Sequence, residues 1–221
     1  MKTSKKIILL LIHLFIAVVT ILLTLKGVLL GAGQGQLGEN MINLGYFKAF
    51  TVDSNDLAAI SSLIMVVILL KNLITKKDHI PYWATLLNYT SGVAVGLTFI
   101  TTATFLAPTQ VSIGNSYFLY FSGDMFFLHF LTPLLVIGTY IFGEKEFKFN
   151  KKENFISLLP LFFYSIVYVT CAVITHVWTD FYGFTFGGHN SVVVPVLIVI
   201  YIVTFLIGFA MRKVHNKLAG K

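Results

Sequence analysis

The sequence predicts an all-α membrane protein, a bundle of six transmembrane helices with both termini in the cytoplasm. Three observations carry this. Hydrophobic residues make up 57% of the 221-residue chain and charged residues 11%, against about 25% charged in soluble domains. Mean hydropathy is +0.84. The apolar residues fall in long runs, and the lysines cluster in alternate stretches between them, as in loops that face a cytoplasm. That clustering argues against a nucleic-acid surface despite a net charge of +7. It also argues against a soluble domain with a large core. Cys171, the single cysteine, cannot form an internal disulfide and reads as a small apolar side chain within a span.

The first run, Ile7 to Leu30, follows the basic start MKTSKK. It exceeds the roughly 7–15 apolar residues of a signal peptide, so it reads as a transmembrane helix. His13 inside it reads as a hydrogen-bonded core histidine. Gly31–Phe47 is a glycine-rich loop. A second helix covers about Val52–Leu73 and ends in Lys71, Lys76 and Lys77. Pro81 opens a third, Tyr82–Leu106. In it Gly92 and Gly96 form a small-xxx-small pattern that lets two helices approach, within or between chains. Thr98, Thr101, Thr102 and Thr104 follow, most of them expected to bond the preceding turn of backbone.

Pro108–Gly123 reads as a loop without basic or acidic residues before its end. The fourth helix covers about Asp124–Phe142 and holds His129 and Pro133. Because Pro133 has no N–H, an α-helix there would leave the His129 carbonyl free. Glu144–Lys152 is a charged loop. The fifth helix, about Phe155–Trp178, places Tyr164, Tyr168, Cys171 and Thr175 at helical spacing on one face. Asp180–Asn190 is a loop rich in aromatics and glycine. The sixth helix covers about Val192–Met211. No repeat and no linker divides residues 1–221, which read as one six-helix transmembrane domain. The basic residues Lys2, Lys5, Lys6, Lys71, Lys76, Lys77, Lys145, Lys148, Lys151, Lys152, Arg212, Lys213, Lys217 and Lys221 fall on one side, and Lys26 and Lys48 on the other. The asymmetry makes both termini cytoplasmic, with anionic head groups facing the basic loops.

On that topology four elements bring polar groups to the outer face. The second helix opens with Thr51, Asp53, Ser54, Asn55 and Asp56. The fourth contributes Asp124 and His129, the fifth ends near His176 and Asp180, and the sixth begins after His189 and Asn190. Charges at such depth cost at least ~2.5 kcal/mol near the bilayer centre and less near its surface, so these groups are expected around a polar cavity. Each also has a plainer role. Thr51 or Asp53 would cap the second helix, Asp124 the fourth, Asp56 would face solvent if its helix began later, and His176 and His189 would lie on the surface. His129, a full turn into the apolar run FFLHFLTP, fits a plain role least well.

Six spans, a T-x-x-S-N run at Thr51, Ser54 and Asn55, a histidine followed by proline at His129 and Pro133, and Asp180-Phe181-Tyr182-Gly183-Phe184 occur here in that order. That order resembles the androgen-induced and androgen-dependent membrane protein family and its bacterial relatives, over most of the chain. Members of that family are described as intramembrane threonine hydrolases that cleave fatty acid esters of hydroxy fatty acids. The resemblance implies Thr51 as nucleophile, His129 as base, no cofactor, a lipid ester substrate, and a multi-pass place in a bacterial plasma membrane. Asp53 and Asp56 belong to no part of that pattern.

The residues fit such chemistry. A threonine hydroxyl needs an adjacent base, and neutral imidazole suits the task. Asp124 or Asp56 would orient the ring, and Ser54 or Asn55 would donate to an oxyanion. A second reading uses His129, His176 and His189 with Asp124 or Asp180 as zinc ligands, in the manner of membrane ceramidase-like hydrolases, although no H-x-x-x-H spacing occurs. A third is a lipid-binding or transport protein that relays protons through Asp53, Asp56 and His129.

Overall fold

The computed structural model describes residues 3–30, 44–143 and 146–219. Most of the expected 31–47 loop, and Lys2, Lys145 and Lys221, lie outside them. Among the described residues every regular element is helical, and six helices are long and apolar enough to cross a membrane. We label them α1 (Thr3–Leu30), α2 (Phe50–Thr75), α3 (Tyr82–Ser112), α4 (Gly123–Gly143), α5 (Lys151–Ile174) and α6 (Asn190–Leu218). Large apolar side chains such as Leu22, Val67, Phe163 and Val199 are exposed along them, as a bilayer requires. The chain is an integral multi-pass membrane protein.

The core forms where small or branched residues let helices meet. Ile16, Ala58, Val95 and Val136 join α1 to α4 at the centre. Gly92 and Gly96 pack within the chain: a Cβ on Gly92 would lie 2.8 Å from Met211 Cε, and one on Gly96 3.0 Å from Ile207 Cγ2, both on α6. Both described chain ends share one end of the bundle with the lysine clusters. Lys6 pairs there with Asp78, and His79 with Glu146 at 2.8 Å. His215 bridges the Tyr140 and Phe147 carbonyl oxygens at 3.0 and 2.9 Å. Where the expected first helix began at Ile7 the structure begins at Thr3, and α6 runs past Met211 to Leu218 because no breaker intervenes.

Three π-turns at the opposite end account for the larger differences from the sequence reading. In each, a backbone N–H reaches five residues back instead of four. Ala107 N–H bonds Thr102 O, Thr132 N–H bonds Phe127 O, and Thr175 N–H bonds Thr170 O. The first carries α3 through Pro108 to Ser112, where the sequence placed a loop. The second sits on His129. The third ends α5 at Ile174 instead of Trp178 and rotates its face. Tyr164 and Tyr168 stay buried while Cys171 is half-buried and Thr175 exposed. At its start α5 gains a turn because Asn150 and Glu153 form a capping box.

Candidate functional site

Thr51 lies in the first turn of α2. Ala49, extended at φ −90° and ψ 126°, opens that helix with no side-chain cap, so neither Thr51 nor Asp53 caps it. The Thr51 hydroxyl oxygen stands 3.4 Å from His129 Nε2. This is longer than a formed hydrogen bond and within the looseness common before substrate binds. His129, 3% exposed, has its other nitrogen, Nδ1, 2.9 Å from the Tyr120 carbonyl oxygen. A carbonyl only accepts, so Nδ1 carries the proton. In neutral imidazole Nε2 is then the bare nitrogen, and it faces the hydroxyl. A lone pair aimed at an O–H is what a general base needs.

The neighbouring polar residues take roles that differ from those expected. Ser54 Oγ bonds Thr51 O at 3.1 Å and Thr98 Oγ1 at 2.9 Å. Asn55 Nδ2 donates to Thr51 O at 2.7 Å and to Leu128 O at 3.0 Å. Both side chains are therefore engaged as braces and do not stand ready as oxyanion donors. Asp56 accepts from the Thr24 hydroxyl at 2.7 Å and Asp124 pairs with Lys26 at 2.5 Å. Neither orients His129, since a backbone carbonyl already holds its Nδ1. Asp124 is also not the cap of α4, whose cap position is Ser122. Asp53 is half-buried and accepts no hydrogen bond among the described residues.

His176 and His189 are exposed, His176 in the left-handed region at φ 54° where α5 stops. With Asp124 committed to Lys26, the set His129, His176, His189 and Asp124 does not assemble. No group of three His, Cys, Asp or Glu side chains suited to a metal ion exists among the described residues. Asp180 braces its own loop. It accepts from Tyr168 at 2.6 Å, from the Phe184 and Thr185 N–H groups at 3.0 and 2.7 Å, and from the Thr185 hydroxyl at 2.6 Å.

That loop carries a residue the sequence reading quoted without giving it a role. Tyr182 is held over the start of α2, and its hydroxyl oxygen accepts the Phe50 N–H at 2.9 Å. Burial pushes Tyr182 up to about 12, partly offset by the Phe50 N–H that its oxygen accepts. The hydroxyl thus sits beside Thr51 at a helix end whose N–H groups lack intrahelical acceptors. Tyr120 also went unnoticed, because it acts through its backbone and nothing about its side chain signals that.

Beside Thr51 a narrow cleft opens among α2, α3, α5 and α6. Leu97, Leu106, Leu161, Leu197 and Ile200 supply its apolar wall, Tyr182 and Phe184 its roof, and no charged side chain among the described residues lines it. Thr51 therefore has the histidine on one side and an apolar slot on the other. No family model, curated protein or solved structure matches this chain.

Proposed function

We propose that the protein is an intramembrane hydrolase of fatty acyl esters, with Thr51 as nucleophile and His129 as base. It would act near the non-cytoplasmic face of a bacterial plasma membrane, with both termini inside, as the lysine asymmetry favours. One observation carries the reading: the bare Nε2 of a buried histidine is aimed at the Thr51 hydroxyl, which itself lines an apolar cleft.

His129 Nε2 takes the Thr51 proton as Oγ1 bonds to the acyl carbonyl carbon. The carbonyl oxygen becomes an oxyanion beside the Thr51 N–H and the Tyr182 hydroxyl, at the positive end of α2. The proton on Nε2 passes to the leaving alcohol as the ester C–O bond breaks. Water, deprotonated by the same nitrogen, then releases the fatty acid and restores Thr51. The Nδ1 proton stays on the ring throughout, donated to the Tyr120 carbonyl oxygen, and the acyl chain lies along the leucines of α3, α5 and α6.

The test is hydrolysis of p-nitrophenyl octanoate by the detergent-purified protein in EDTA. Thr51→Ala and His129→Ala should fall to background while melting like the parent, and a fluorophosphonate should label Thr51 in the parent. Activity that survives in Thr51→Ala, or a parent that cleaves no acyl ester, removes the proposal.

A further inference from the structure

Two prolines at the site end of the bundle each follow a π-turn by the same number of residues. In the register set by Thr132 N–H to Phe127 O, the next donor would serve Leu128 O, but it belongs to Pro133, which has none. Leu128 O instead takes Asn55 Nδ2 at 3.0 Å, and the same amide holds Thr51 O at 2.7 Å. The expected orphan at His129 has thus moved back one residue. On α3 the register set by Ala107 N–H to Thr102 O would bring Pro108 to Ala103 O. That carbonyl takes the Tyr117 hydroxyl at 2.8 Å. Tyr117 opens the short turn Tyr117–Phe121, and the same turn presents the Tyr120 carbonyl to His129 Nδ1.

We propose that these proline-vacated carbonyls are sockets that set the Thr51–His129 geometry, with Asn55 and Tyr117 as positioning residues. Asn55 ties the backbone of the nucleophile to that of the residue before the base. Tyr117 seats the turn whose carbonyl fixes which nitrogen of His129 is bare. An unfilled carbonyl in a membrane interior is costly, so each socket selects its partner strongly. The inference rests on the hydrolase reading for its kinetic consequence, and on geometry alone for its effect on the ring.

The experiment is therefore double. In ¹⁵N-histidine-labelled protein, the His129 signals (assigned with His129→Gln) should report Nδ1–H and a bare Nε2 in the parent. Tyr117→Phe and Asn55→Leu should mix the tautomers and lower kcat for the ester by about 10- to 100-fold at unchanged KM. Pro133→Ala restores an N–H for Leu128 O, so adding it to Asn55→Leu should recover most of the parent's tautomer and rate. Parent-like spectra in both single variants overturn the proposal, as does a Pro133→Ala addition that recovers nothing. If Asn55→Leu does not fold, Tyr117→Phe, which deletes one oxygen, decides by the same spectrum. If the parent cleaves no ester, the hydrolase reading fails while the spectra still decide whether the sockets hold His129.

Discussion

Tyr168 donates its hydroxyl proton to Asp180 Oδ1 at 2.6 Å, while Asp180 Oδ2 takes the Thr185 N–H and hydroxyl. One carboxylate thereby joins α5 to the loop that holds Tyr182 over Thr51. The roof over Thr51 therefore depends on a carboxylate that braces its own loop.

This brace makes the roof sensitive to acid. Burial alone would raise Asp180, but the hydrogen bonds from Thr185, Tyr168 and Phe184 outweigh it and hold the carboxyl below its usual range. A depressed folded-state value means the stabilisation is fully present above the unfolded carboxylate pKa of ~3.9 and is lost as pH falls through the folded value. In a Trp83→Phe background, Trp178 emission should stay constant down to about pH 4 and shift only below it. Asp180→Asn should show the shifted emission at neutral pH. An acid shift unchanged by Asp180→Asn would assign the effect to another group.

Tyr182→Phe keeps the ring in the cleft roof and removes one donor beside Thr51. Loss of an oxyanion donor costs about 10²–10³-fold in kcat, so a drop near the lower figure is expected, with little change in KM. Initial rates on the octanoate ester measure it. A parent-like kcat would leave the Thr51 N–H as the group that meets the oxyanion.

The two glycines of α3 should differ. A Cβ on Gly92 would press on Met211 Cε, the flexible end of a side chain, whereas one on Gly96 would press on the branched Ile207. Gly92→Ala should therefore melt close to the parent. Gly96→Ala should lose stability toward the ~1–3 kcal/mol of an overpacked core. Thermal unfolding in detergent compares them.

His176→Ala and His189→Ala should each retain activity within about twofold, since truncating exposed groups away from special features changes little. EDTA should have no effect. Loss of activity in either variant, reversed by added zinc, would favour the metal reading.

The apolar runs and the lysine asymmetry were legible along the chain, because a span needs only length and composition. The pairing of Thr51 with His129 was an expectation that came with the family resemblance, carried by the T-x-x-S-N run and the histidine ahead of Pro133. Pro133 marked a vacated carbonyl correctly in kind but not in place, because its address depends on a π-register that linear spacing does not encode. Asp124, His176 and His189 looked like site residues since sequence puts them at the right depth. Depth says nothing about direction, and they turn to Lys26 or to the exterior.

By itself, then, the sequence determined that the chain is a six-span helical membrane protein with polar groups gathered at one end. Bilayer burial depends on hydrophobicity summed along each run, which any reader of the chain can sum. Tertiary structure alone decided which nitrogen of His129 is bare, which carbonyls Asn55 and Tyr117 fill, and that Tyr182 covers Thr51. Each of those is a contact between distant segments, fixed by backbone groups that all residues share and no side-chain pattern reveals.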